Sequence, residues 1–217
     1  MPFHPVKCDH LTNWEMRRVF QHASGYLADV YTLMHADPGP EKSGAGNFSI
    51  ALILSCVIDG LATEIYPIQP VDDQEKRMRV LLERMPWGTK AQGWVTRGEA
   101  ARVLYLDIRN PLAHNLAADT NPNVRRPGYA DPALVKRMRD WTRPTASELE
   151  EMSEWPNKKW PVMWAEDSHG KRRIVLSDLA LYWHVKRLTV QLAADTAFLQ
   201  RAVDLRKRRR VRGRGAG

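Results

Sequence analysis

The sequence predicts an all-α protein, and two observations support that prediction. Apolar residues recur at helical spacing in several long stretches, and prolines or glycines separate these stretches. The chain of 217 residues is 43% hydrophobic and 27% charged, which is typical of a globular protein able to bury a core. We expect a four-helix up-down bundle that carries an inserted excursion of short helices and a β-hairpin.

The first two bundle helices are predicted from different apolar patterns. Residues 12–36 form one apolar stripe along a helix, and the sequence Asp-Pro-Gly-Pro then ends it. Residues 48–66 are apolar on nearly every side, which is typical of a central helix. Asp59 near the middle of that stretch makes membrane insertion costly, so we expect a buried helix and no membrane partner.

The other two bundle helices are predicted at residues 97–110 and 178–205, with a shorter helix at 72–85. Pro111 lacks an amide proton and crowds the preceding turn, so a kink is expected there before a further helical stretch at 112–118. These assignments place residues 11–118 and 178–205 in the bundle.

Residues 119–177 differ in composition from the predicted bundle helices, and we assign them to an insertion. Prolines interrupt this segment repeatedly, which leaves two short helices near 133–142 and 146–154. Residues 160–166 and 171–176 are expected to form the arms of a β-hairpin. The insertion also holds four of the eight tryptophans, whose rings would either stack on bases or form a small core of their own.

The positive charge of the chain is concentrated at its end. Residues 206–217 are predicted to be a disordered basic tail. Subtracting its seven basic residues from the formal charge of +8 leaves only +1 for the rest of the chain. The tail would bind nucleic-acid phosphates, or would serve only as a solubilising end. The seven residues are Arg206, Lys207, Arg208, Arg209, Arg210, Arg212 and Arg214.

Cysteine usage and the first residues indicate the expected compartment. Two cysteines are too few for a disulfide scaffold, and the chain begins without an apolar signal core, so a cytoplasmic location is expected. His4, Cys8 and His10 match no standard zinc spacing. We expect no metal site and no cofactor.

Residues 109–114, Arg-Asn-Pro-Leu-Ala-His, are the strongest candidate for a catalytic site. An arginine can hold a phosphate oxygen through its planar fork of donors, and a histidine can transfer a proton near neutral pH. Arg109 would stabilise charge on a phosphorane, His114 would act as base or acid, and Asn110 would orient the imidazole or the phosphate. One histidine cannot serve as base and acid in the same step, so a homodimer is expected.

Asp59 is predicted to support this site or to have a purely structural role. A buried acid usually needs a partner, and Arg109 from a facing helix is a candidate. The alternative is that Arg109 pairs with Asp59 or Asp107 only to satisfy charge, while His114 caps or packs a helix end.

The motif Arg109-Asn110…His114 resembles the signature of the HEPN superfamily, the higher eukaryotes and prokaryotes nucleotide-binding domains. The resemblance covers the motif and the helical layout, and it leaves out the insertion and the basic tail. It implies an all-helical bundle with the motif at a helix junction. It also implies a metal-independent endoribonuclease that works as a homodimer, with a role as a toxin or defence effector and a possible inhibitory partner protein.

Two alternatives to the ribonuclease remain open. The first is a noncatalytic HEPN-like module that binds nucleotide, RNA or a partner protein. The second is a helical interaction protein without an active site. The sequence contains neither a glycine-rich phosphate loop nor a pair of metal-binding carboxylates, so it gives no support to a kinase or a nucleotidyltransferase.

Overall fold

Helices make up most of the part of the chain that the structure describes. The computed structural model describes residues 3–35, 47–65, 74–85, 96–109, 161–166, 172–176 and 178–214. The elements are α1 (Trp14–His35), α2 (Asn47–Ile65), α3 (Gln74–Glu83), α4 (Arg97–Arg102), a π-helix (Val103–Arg109), β1 (Val162–Glu166), β2 (Arg172–Leu176), α5 (Asp178–Ala194) and α6 (Thr196–Arg214). The described residues are therefore predominantly helical, as the sequence predicts.

Helix α1 buries the apolar stripe seen in its sequence. The Asn13 side chain begins the helix by accepting a hydrogen bond from the Met16 amide at 3.0 Å. The stripe residues are buried apart from Val19, which packs partly buried against the core. The buried members are Met16, Phe20, Ala23, Leu27, Val30 and Met34. Burial of this stripe explains why α1 forms against the remainder of the core.

Helix α2 contacts more elements than any other helix in the described part. It packs against α1, α3, the π-helix, α5 and α6. Its burial is not complete, however, because Cys56 and Gly60 are exposed one turn apart. Most of the described residues of α2 are thus buried, as expected for a central helix, and the exposed line borders an open cleft between α1 and α2.

The residues before α1 pack onto the helices. Val6, Cys8 and Leu11 belong to the buried core, and the Val6 amide donates a hydrogen bond to the Ser24 hydroxyl at 3.0 Å. The His10 ring nitrogen Nε2 lies 2.8 Å from the Ala193 carbonyl oxygen at the end of α5. The core thus extends to Val6, beyond the boundary predicted at residue 11. The sequence did not predict this, because the segment before α1 has too few apolar residues to form a recognisable pattern.

The helix predicted at 97–110 changes its type of hydrogen bonding part-way along. Helix α4 begins with a capping box in which the Thr96 hydroxyl accepts from the Glu99 amide and the Glu99 carboxylate accepts from the Thr96 amide. After six residues it continues as the π-helix instead of an α-helix. π-helical segments are rare in proteins, and those that occur are often found at functional sites. The predicted kink at Pro111 and the helix at 112–118 lie outside the described residues.

Two short strands overlap the segments predicted as hairpin arms. β1 and β2 pair antiparallel, with Val162 opposite Leu176 and Glu166 opposite Arg172 in backbone register. Val162 and Leu176 are both buried in the main core. The residues between the strands and the predicted short helices at 133–142 and 146–154 lie outside the described residues.

The last predicted helix is two helices. The break falls at Asp195, whose carboxylate accepts a hydrogen bond from the Phe198 amide at 3.0 Å and so caps α6. The backbone of α6 then remains helical through the basic segment to Arg214. The prediction of disorder from residue 206 is therefore wrong as far as Arg214. Arginine and lysine are good helix formers, and the packed first turns of α6 supply the nucleus for the helix to continue.

Candidate active site

Arg109 is the last described residue of the π-helix, and it is held on two sides. Its guanidinium carbon lies 5.7 Å from the ring centre of Tyr105, four residues earlier. One of its terminal nitrogens, Nη2, lies 3.4 Å from the Asp59 carboxylate oxygen Oδ2. About a quarter of the Arg109 side chain, 27%, remains exposed. The guanidinium is therefore anchored to α2 while part of it faces solvent.

Asp59 is the buried partner of this ion pair. The residue is 7% exposed and lies on α2, which packs directly against the π-helix. The other carboxylate oxygen, Oδ1, is also buried and accepts no hydrogen bond from the described residues. Of the two acids that the sequence leaves open as partners, Asp59 pairs with Arg109, and the side chain of Asp107 is not among those that the structure describes.

Burial raises the pKa of the Asp59 carboxyl above its ordinary value of 3.8. Arg109 and, more weakly, Arg77 on α3 lower that pKa by attraction, and their combined effect is the smaller one. A carboxyl whose pKa is raised on folding stabilises the protein below pH 3.8, and this stabilisation is lost as pH rises through the raised pKa. The ion pair thus orients Arg109 without a net gain from ionised Asp59.

Cys56 lies one turn before Asp59 on α2. Burial of the surrounding site raises the pKa of its thiol, Arg109 lowers that pKa, and Asp59 raises it. The residue is nevertheless exposed to solvent, while Cys8, the other cysteine, is buried. Cys56 is therefore close enough to Arg109 to sense its charge, but the raised pKa argues against an activated thiolate nucleophile.

The two other residues predicted to be catalytic, Asn110 and His114, lie outside the described residues. Their predicted roles stay predictions. Among the residues that the structure describes, the candidate site therefore consists of Arg109, its partner Asp59 and the side chains around them. Within the described ranges, no cluster of three histidine, cysteine or acidic side chains could hold a metal ion.

The predicted nucleic-acid-binding segment begins inside the folded part of the chain. Arg206 is partly buried and forms an ion pair with the Glu64 carboxylate of α2. Lys207 and Arg208, which follow it on α6, are exposed. The backbone of Arg209, Arg210, Arg212 and Arg214 continues the same helix. The basic segment is therefore connected to α2 through the ion pair of its first residue.

Two titratable residues of α5 take structural positions. His184 is fully buried, and burial lowers its pKa to about 3, so the ring is neutral at physiological pH. The Lys186 ammonium lies over three aromatic rings, at 5.0 Å from Phe3, 5.0 Å from Trp183 and 5.9 Å from Tyr182. The contacts of Lys186 connect α5 to the N-terminal segment through Phe3.

Sequence reasoning missed several residues around Arg109. Arg77 lies on a separate helix, and no local pattern connects it with Asp59. Tyr105 stands four residues before Arg109, a spacing at which side chains on a helix can meet, so this contact had a signal in the sequence. The cleft between α1 and α2 also had a signal in the sequence, because the aromatic residues Trp14 and Tyr26 lie outside the apolar stripe of α1.

Comparison of the chain with protein-family models, curated proteins and solved structures gave no match. No helix in the described part combines the length and the apolarity required to cross a bilayer. The fold and the site together define a predominantly helical protein. At the end of its π-helix, a partly exposed arginine is paired with a buried acid. The resemblance to the HEPN superfamily therefore depends on the motif and on this helical layout.

Proposed function

We propose that this chain is a HEPN-like, metal-independent endoribonuclease with Arg109 and His114 in its active site. One observation supports the proposal above the others. The Asp59 carboxylate, 3.4 Å away, fixes the Arg109 guanidinium at a helix end that is still partly exposed. An arginine positioned in advance, immediately before Asn110 and with four residues between it and His114, suits the stabilisation of a developing phosphorane.

The proposed reaction is attack of a ribose 2′-hydroxyl on the adjacent phosphorus. His114 removes the hydroxyl proton or protonates the leaving 5′ oxygen, and Arg109 binds the phosphorane oxygens. Asn110 orients the imidazole or the phosphate. A homodimer supplies the second histidine, so that one copy acts as base and the other as acid. The products are a 2′,3′-cyclic phosphate and a 5′-hydroxyl.

The proposed setting follows from the same resemblance. The bundle helices form a four-helix up-down arrangement, and the segment with the strand pair is an insertion with a β-hairpin. The protein works in the cytoplasm as a toxin or defence effector, and a partner protein restrains it. The basic segment from Arg206 to Arg214 attracts RNA through its phosphates.

The test is RNA cleavage by the purified protein in EDTA, with the product ends analysed for cyclic phosphate. Wild type is expected to cleave, and His114→Ala is expected to lower the rate at least about a hundredfold. Arg109→Lys should also be strongly impaired because an ammonium lacks the planar fork. The matched control is Arg79→Ala, which removes an exposed guanidinium paired with Glu83 at 3.4 Å and should cleave as wild type does.

The alternative is a noncatalytic HEPN-like module that binds nucleotide, RNA or a partner protein. The observation that favours it is the same ion pair, because Asp59 already neutralises Arg109. Intact RNA after incubation with wild type, across several substrates, would refute the nuclease. RNA binding that then weakens in Arg109→Lys would identify the module. Circular dichroism of each variant separates lost function from lost folding.

A further inference from the structure

A cleft of about 370 Å³ runs between α1 and α2 and ends at α6. This volume falls in the range of sites for small organic ligands. Two large exposed aromatic residues, Trp14 and Tyr26, stand on its α1 wall and are 65% and 54% exposed. Arg109 and Asp59 do not line the cleft, but Cys56, which lies near Arg109, does.

Two small residues on α2 leave that side of the cleft open. Gly60 has no side chain, and a Cβ added there would meet nothing within 4 Å. Cys56, one turn earlier, is exposed along the same wall. The floor between the walls is apolar and includes Val57 and Leu61. A flat ring could therefore enter the cleft and contact apolar atoms below it and one of the two aromatic rings beside it.

The basic segment starts at one end of this cleft. Arg206 lines the cleft and is fixed there by its ion pair with Glu64. From that residue onward the sequence has seven basic residues within nine positions, and the side chains of Lys207 and Arg208 are exposed. A cleft with exposed aromatic rings that ends at a basic helical segment matches the two parts of a single-stranded nucleic acid, since bases stack on aromatic rings and phosphates bind cations.

We propose that the cleft between α1 and α2 receives unpaired bases of single-stranded RNA, while the basic part of α6 binds the phosphates that follow. Trp14 and Tyr26 are twelve residues apart, about 18 Å along the helix, so they stack on different bases rather than enclosing one. This inference rests on the proposed function, because it takes RNA as the ligand of the chain.

The test uses a fluorescent single-stranded 12-mer of 2′-O-methyl RNA, which has no 2′-hydroxyl and is not cleaved by the proposed reaction. Binding is measured by anisotropy for wild type, for Gly60→Phe and for the matched control Gly25→Phe. Both glycines lie in exposed positions on helices with open space at the Cβ, but only Gly60 lines the cleft. Gly60→Phe should weaken binding roughly tenfold or more, and Gly25→Phe should bind as wild type does.

Trp14 gives an independent variant that does not fill the cleft. Trp14→Ala should also weaken binding roughly tenfold, and Trp14→Tyr should restore most of the loss because it keeps an aromatic ring. Lys207→Ala should weaken binding without regard to base content and should lower the salt slope by about one, since it removes a single phosphate contact.

Alkylation of Cys56 reports on the cleft directly, because the other cysteine is buried. A saturating 12-mer should protect Cys56 several-fold, whereas an abasic oligomer of equal charge should not protect it. Equal protection or equal affinity with the abasic oligomer would overturn the proposal, because phosphates on α6 would then suffice. Protection that appears without RNA as the protein concentration rises would overturn it as well and would assign the cleft to a second copy of the chain.

Failure of this inference differs from failure of the proposed function. If Gly60→Phe binds the 12-mer like wild type and also cleaves RNA like wild type, the cleft has no part in RNA binding and the nuclease stands. If wild type leaves natural RNA intact but the 12-mer protects Cys56, the nuclease fails and the base-binding cleft stands.

Discussion

The pair of Asp59 and Arg109 is the residue-scale feature on which the candidate site depends. Asp59 is costly to ionise where it lies, since burial outweighs two guanidinium groups in its effect on the pKa. Its geometry nevertheless sets the position of Arg109 at the end of the π-helix. Asp59 therefore acts through Arg109 as a positioning residue and is too deeply buried to touch a substrate itself.

Asp59→Asn should change how stability depends on pH. Wild type should lose stability relative to Asp59→Asn as pH rises from about 3.8, because the raised pKa of Asp59 makes its ionisation unfavourable on folding. One titrating proton limits the slope to about 1.4 kcal/mol per pH unit. Urea unfolding of both proteins between pH 3.5 and pH 7 measures the difference.

The opposite slope would contradict this prediction. Wild type that gains stability over Asp59→Asn with rising pH would mean that Arg109 and Arg77 attract the carboxylate more strongly than burial penalises it. The control is Asp204→Asn, since Asp204 lies on α6, accepts a hydrogen bond from Gln200 at 3.0 Å and is only partly buried. That substitution removes an acid from a less buried position, so comparison with it shows whether the changed slope is specific to Asp59.

At the scale of elements, helix ends decide where the functional side chains lie. The capping box of Thr96 and Glu99 begins α4, which continues without interruption into the π-helix and Arg109. Asp195 caps α6 in the same way, and the basic segment therefore starts at a defined place against α2. A strong capping sequence at Thr96 is visible in the chain, whereas the change to π-helical hydrogen bonding at Val103 is not.

Thr96→Ala should destabilise the protein by about 1 kcal/mol, because the Glu99 amide loses its acceptor at the start of α4. The matched control is Thr32→Ala in the interior of α1, where the hydroxyl only bonds the Ala28 carbonyl of its own helix at 3.0 Å. The control should stay within about 0.5 kcal/mol of wild type. Urea unfolding midpoints compare the two, and equal losses would refute a capping role for Thr96.

At the scale of the whole molecule, contacts distant in sequence converge on the junction of α5 and α6. Arg84, just after α3, forms an ion pair with Asp195 at 3.3 Å and lies 4.0 Å above the Phe198 ring. His10 reaches the Ala193 carbonyl from the N-terminal segment. The core then continues into the first half of α6 through Leu199, Ala202 and Val203. The first half of α6 is therefore part of the folded core, and the basic half extends beyond it.

Two truncations should separate these halves of α6. Ending the chain after Leu205 removes the basic segment and its ion pair between Arg206 and Glu64, and it should cost about 0–1 kcal/mol. Ending it after Ala194 also removes the buried Leu199, Ala202 and Val203, and it should cost several kcal/mol or prevent folding. Thermal unfolding of the two proteins measures this, and similar losses would contradict the division.

The sequence by itself determined the helical class, the apolar stripe of α1 and the identity of Arg109 as the central residue of the candidate site. These features are local, because the spacing of apolar residues and a short motif can both be recognised within a few turns. It also identified Asp59 as an acid in need of a partner, since a carboxylate among apolar neighbours is costly wherever the chain folds.

Only the tertiary structure decided which groups surround Asp59, where the last predicted helix breaks and which face of α2 stays open. The charge of Arg77 lowers the pKa of Asp59, and Arg206 pairs with Glu64, because separate helices pack together; no local pattern encodes either interaction. The cleft beside Gly60 likewise exists because no other described element covers that face of α1 and α2. Packing across distant segments adds these contacts to the local preferences of the chain, and it sets the geometry in which Arg109 and the cleft are placed.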